Sequence, residues 1–139
     1  MFGKLVHAVR LLFGLNFFLN GINWWWKILP YPTIGDPPGG PPFVQAMIDT
    51  GFLFHSIKVI EVVAGVAIIA NRFVPLALVV AFPVTAAAWA VDVGLLGHSV
   101  RAQVMGWSVL SMNLFLLLAY LDAYRPMLAI RVAASIPKS

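Results

Sequence analysis

Four long apolar runs, separated by short polar or proline-rich breaks, limit what this chain can fold into. They cover about residues 5–29, 50–70, 74–96 and 102–124. Each is close to the roughly 20 residues that carry a helix across the hydrocarbon core of a bilayer. A backbone in lipid must satisfy its own hydrogen bonds, so runs of this kind become helices. The expected fold is all-α: an integral membrane four-helix bundle, with antiparallel neighbours where the connections are short. Composition agrees, with 61% hydrophobic and 10% charged residues against about 25% charged in soluble domains. A length of 139 residues leaves no room for a separate soluble domain. One four-span domain, 1–139, is therefore expected.

The breaks have their own chemistry. Residues 30–42 read PYPTIGDPPGGPP, too rich in proline for a helix. They are expected to form an irregular loop on the outer side, with a short interfacial turn after it over 43–49. Pro75 falls in the first turn of the third run, where proline is tolerated. Pro83 falls inside that run and is expected to kink it, freeing the carbonyl of Val79. Pro126 ends the fourth run, and the tail 127–139 is expected to be a basic amphipathic helix on the membrane surface. The first run is expected to be retained rather than cleaved. It holds three asparagines and ends in Trp24-Trp25-Trp26-Lys27, not in a small-residue cleavage site.

The formal charge of +4 sits at the ends of the runs, where it reads as a topology signal rather than as nucleic-acid affinity. With the N-terminus inside, Lys4, Arg10, Arg72, Arg125, Arg131 and Lys138 fall on the inner face. Lys27 and Arg101 fall on the outer face, and Lys58 is buried below it. This asymmetry predicts cytoplasmic termini. Trp24, Trp25, Trp26, Trp89 and Trp107 then gather toward the outer rim, as an aromatic belt does. The expected location is the bacterial inner (cytoplasmic) membrane.

Polar residues inside the runs are the candidates for function, because ionisable groups at membrane depth are costly. Asn16, Asn20, Asn23 and Lys27 recur every three or four residues in the first run. His55, Lys58 and Glu61 do so in the second. Depth counted at 1.5 Å per residue puts Asn16 level with Glu61, Asn20 with Lys58, and Asn23 with His55. Thr85 and Asn113 fall near mid-depth, and Asp92 near the outer rim. Lys58 and Glu61 are three apart on one helix, close enough to pair. The candidate binding set is Asn16, Asn20, Asn23, His55, Lys58, Glu61, Asp92 and Asn113, with Glu61 the proton-active candidate beside Lys58. Two readings are open. The cluster either joins helices by interhelical hydrogen bonds, or lines a polar cavity that holds a small molecule or relays protons.

Other chemistry finds less support. His55 and His98 fall at similar depth, the minimum for a bis-histidine haem, while His7 lies at the opposite face. His55, Glu61 and Asp92 are metal-ligand residue types without a ligand motif. Gly39-Gly40 does not precede a helix and is no phosphate loop. With no cysteine, disulfides, thiol redox chemistry and cysteine-held iron–sulfur clusters are excluded on this chain. No cofactor or metal is expected on it, with quinone or lipid the candidate molecules nearby. The expected partners are membrane lipids and other membrane subunits, not nucleic acid. Ala64, Gly65 and Ala67, and the alanines over 86–90, let backbones approach closely.

The stretch from Arg10 to Asn23, RLLFGLNFFLNGIN, resembles the first-helix signature of the DoxX family. HSIKVIEVVAG, from His55 to Gly65, resembles its second helix, with a glutamate followed four residues later by glycine. The motif positions that match are Arg10, Gly14, Gly21, Glu61 and Gly65. DoxX-like proteins are small four-helix membrane proteins, some linked to quinone-coupled oxidation such as thiosulfate:quinone oxidoreductase. The resemblance implies a cofactor-free accessory subunit of a larger membrane redox complex, respiratory or photosynthetic. The alternatives are a quinone-linked oxidoreductase module using Lys58 and Glu61, and a small-molecule or lipid carrier. The lack of cysteine and the long proline-rich loop depart from the redox members.

Overall fold

The computed structural model describes residues 1–29, 41–97 and 99–131. The loop expected over 30–42 lies almost wholly outside these residues, as do His98, Lys138 and most of the tail. Among the described residues six α-helices form: α1 (Phe2–Trp26), α2 (Pro42–Asp49), α3 (Leu53–Ile69), α4 (Val74–Trp89), α5 (Val100–Ala119) and α6 (Leu121–Tyr124). No strand occurs among the described residues. Three helices of the described residues are long and apolar enough to cross a membrane: α1, α4 with its continuation to Leu95, and α5. A fourth crossing exists if α2 and α3, bent by 94° at their junction, are one span.

Local chemistry explains the boundaries. At the end of α1 the Asn23 carbonyl accepts from the Lys27 N–H, and its side-chain Oδ1 accepts from the Leu29 N–H at 2.7 Å. Lys27 takes the left-handed conformation, φ 48°, that commonly closes a helix. Where a short turn was expected, α2 is a true helix started by Pro42 in its first turn. The bend into α3 uses Gly51 at φ 76°, a backbone angle glycine adopts without steric cost. Thr50 braces the bend, donating to the Met47 carbonyl and accepting from the Leu53 N–H. Phe73 and Asn71 take positive φ in the tight turn between α3 and α4. The helix of α4 continues through Pro83, which has no N–H to give the Val79 carbonyl, and passes at Ala90 into a π-helical segment, Ala90–Leu95. The Ser99 hydroxyl caps α5 by accepting from the Ala102 N–H. After α6 the chain makes one 3₁₀ turn, Arg125–Leu128, and Ala129 is extended.

The helices α1, α3, α4 and α5 pack antiparallel in that order, and α1 also touches α5. The most extensive contact is α1 against α3. Their facing stripes are Arg10, Gly14, Phe17 and Gly21 on one side, and Phe54, Lys58, Glu61, Gly65 and Ile68 on the other. Both alternate by three and four residues, the spacing of a helix–helix seam. The approach is close: a Cβ on Gly65 would lie 2.6 Å from the Phe18 amide nitrogen. The core centres on Phe13, Phe17, Ile68, Leu78, Ala81 and Leu116. A smaller cluster at the other end joins α2 to the rest through Val44, Phe54 and Val91.

Candidate functional site

The α1–α3 seam sets the register of the candidate residues. Gly21 faces Lys58 and Val62, while Gly65 faces Gly14 and Phe18. On this register Asn23 is level with Lys58 and Val59, Asn20 with Val62, and Asn16 with Val66. That is one helical turn away from the sequence-based depths. Counting inward from the ends of the runs assumed straight rods with common ends. The chain instead bends at Gly51, and glycine contacts fix the slide. The asparagine stripe also lies roughly a third of a turn round α1 from the seam. Asn16 and Asn20 are accordingly half-buried, not central.

At the middle of the seam the Lys58 Nζ donates to Glu61 Oε2 at 2.8 Å, and both side chains are 11% exposed. Lys58 Nζ also stands 5.1 Å from the Phe54 ring centroid, in reach of a cation–π contact. Trp24 packs edge-on against Phe54 and His55, with centroids 4.8 and 5.5 Å apart. Lys27 reaches back over the Trp24 ring at 4.9 Å. The α2 helix covers this end: Val44 is 1% exposed and packs with Phe54 and Val91, with Trp24, Met47 and Ile48 around them. The ion pair thus has the Phe54 ring beside Lys58, and Phe54 in turn packs against Trp24 and Val44 of α2. Phe54, Trp24 and Val44 were not among the sequence-based candidates. The signal for Phe54 was its place four residues before Lys58 on the same stripe.

The remaining candidates have local tasks. Asn23 caps α1. The Asn20 side chain donates to the Asn16 carbonyl at 2.9 Å. Asn113 donates to the Thr85 hydroxyl at 3.1 Å, and Thr85 donates back to the Ala81 carbonyl. This second polar pair ties α5 to α4, not to Lys58 or Glu61. Asp92 lies in the π-helical segment, half-buried, where a Cβ on Gly106 would meet its own Cβ at 2.9 Å. His55 is half-buried with Nδ1 lacking a hydrogen bond. Among the described residues, no group of three His, Asp or Glu side chains converges as a metal would need. His55, Glu61 and Asp92 therefore do not form one such group. Arg10, read from sequence as an inner-face charge, is only 5% exposed and lies in the seam. Its spacing from Gly14 and Phe17 carried that signal.

No family model, curated protein or solved structure matches the chain.

Proposed function

We propose that this chain is a DoxX-like four-helix membrane bundle that serves as a cofactor-free accessory subunit of a larger membrane redox complex. One observation carries the accessory role: Lys58, Glu61 and several asparagines within the candidate spans hydrogen-bond inside the chain rather than facing an open cavity. Lys58 donates to Glu61, the Asn113 amide nitrogen to Thr85, and Asn20 to the Asn16 carbonyl, while Asn23 closes the end of α1. Such bonds lower the cost of polar atoms in lipid, and the Asn113–Thr85 bond also joins α5 to α4. The redox setting rests on the resemblance of the first two long helices to DoxX signatures. The membrane reading is supported by apolar side chains turned outward, such as Val63, Leu76 and Leu118, each more than 60% exposed. Lys4, Arg72, Arg125 and Arg131 share one end of the helices, which we assign to the cytoplasm. On this reading the chain sits in a bacterial inner membrane, against lipid, quinone and neighbouring subunits. Gentle solubilisation followed by native sizing tests the role. Co-migration with a redox assembly is expected; a small free species would count against it.

A second reading draws on His55, whose unfilled Nδ1 lies beside Trp24 near the ion pair. In it the chain is a quinone-linked module or small-molecule carrier, with Glu61 moving the proton. Glu61→Gln then abolishes quinone-linked turnover while the assembly persists. An accessory subunit keeps its turnover whenever the assembly persists.

A further inference from the structure

A shallow groove of about 280 Å³ runs along the outside of the α1–α3 pair, lined by Phe18, Val66, Ile69 and Ala70. Its lining is wholly apolar side chain, and it reaches the last residues of α3. Arg72 follows two residues beyond Ala70 and is exposed. On α1, Lys4, His7, Leu11 and Phe18 are spaced by 3, 4 and 7 residues, which puts them on one flank of the helix, the flank of the groove. Lys4 and His7 are exposed there.

The chemistry at this mouth is that of an anion seat. Buried Arg10 hydrogen-bonds the Nδ1 of His7 at 3.0 Å. A guanidinium only donates, so Nδ1 accepts and the ring proton resides on Nε2. Exposed His7 thus offers an N–H outward, backed by the Arg10 charge. The second guanidinium nitrogen of Arg10, Nη1, is buried without a partner. Among the described residues, no carboxylate pairs with Lys4, Arg10 or Arg72. The acid near this end, Asp122, is held by Arg125 at 3.1 Å. A buried guanidinium without a counter-charge is costly.

We propose that this groove and its basic mouth bind one anionic phospholipid: an acyl chain along Phe18, Val66 and Ile69, and the phosphate between Lys4, His7 and Arg72. The proposal rests on the membrane reading above and names a specific site within it. The test uses the purified full chain in detergent. It is offered phosphatidylglycerol and phosphatidylcholine of identical acyl chains, and retained lipid is read by native mass spectrometry. Phosphatidylglycerol is expected to be retained preferentially. Lys4→Gln with Arg72→Gln lowers that preference by roughly fivefold for each charge removed, the usual worth of a basic residue at an anionic headgroup. Val66→Trp, at an exposed position, fills the groove and displaces both lipids.

Equal retention of the two lipids by the wild type overturns the proposal. So does an unchanged preference in the double variant, or wild-type retention by Val66→Trp. Loss of a co-purifying polypeptide from the double variant, with lipid preference intact, assigns the cations to a protein partner and also overturns it. Alkaline extraction separates the underlying assumption. A chain that stays in the membrane yet shows no lipid preference sinks the site alone, whereas release into the supernatant sinks the membrane reading itself.

Discussion

Lys58 and Glu61 occupy seam positions that their neighbours Phe54, Gly65 and Ile68 fill with small or apolar groups. Two opposite charges are tolerated there because they meet at 2.8 Å. Removing one partner leaves the other buried alone, which typically costs about 3–5 kcal/mol, whereas replacing both with apolar groups is often neutral. Glu61→Gln is therefore expected to lower the Tm in detergent sharply. Lys58→Met combined with Glu61→Leu should recover most of the loss. A double variant as unstable as the single one would show that the pair does more than neutralise itself. The two charges were legible as a close pair from their spacing alone. Arg10 was not read as buried, because a basic residue near the start of a span is also what topology predicts. Only its register with Gly14, Phe17 and Gly21 distinguishes a seam arginine from a rim arginine.

Between elements, contact is set by what is missing from side chains. At Gly65 an added methyl group would meet the Phe18 amide nitrogen at 2.6 Å and the Gly14 carbonyl at 2.9 Å. Both are backbone atoms and cannot rotate away, so α1 and α3 must separate. Overpacking of this kind usually costs about 1–3 kcal/mol. Gly65→Ala should destabilise the protein by that order in a detergent unfolding series. Gly3→Ala should have little effect, since nothing lies within 4 Å of the added atom. Equal stability of the two variants would show that the crossing is looser than its geometry. The long helices were legible because run length and hydropathy report directly on them. Three element-scale features were not. The α2 helix has eight residues beside a proline-rich stretch, too few for periodicity to declare itself. The π-helical segment after Trp89 has an ordinary apolar composition. The slide of α1 on α3 depends on two backbones meeting, which neither run encodes alone.

Among the described residues, several polar side chains lie inside while many large apolar ones face outward. Asn113, Thr85 and Asn23 are at most 1% exposed, while Phe73, Val104 and Leu118 are at least 60% exposed. In water that arrangement would lose hydrophobic stabilisation on the surface and hydration within. In hydrocarbon both terms reverse, because lipid solvates the apolar exterior and bonds such as Asn113 to Thr85 satisfy polar groups within. The antiparallel order of α1, α3, α4 and α5 then has a consequence for sidedness. Gly3, Asn71 and Ala123 belong to the basic end, and Gln45 on α2 belongs to the tryptophan end. The chain has no cysteine, so single cysteines report position without background. In inside-out vesicles, an impermeant maleimide is expected to label Gly3→Cys, Asn71→Cys and Ala123→Cys at once. Gln45→Cys should react only after the vesicles are opened, and right-side-out vesicles should give the reverse. Labelling of Gln45→Cys from the same side as Gly3→Cys would mean that α1 does not cross. The four-span topology, and the cytoplasmic assignment of the basic end, would then be abandoned together.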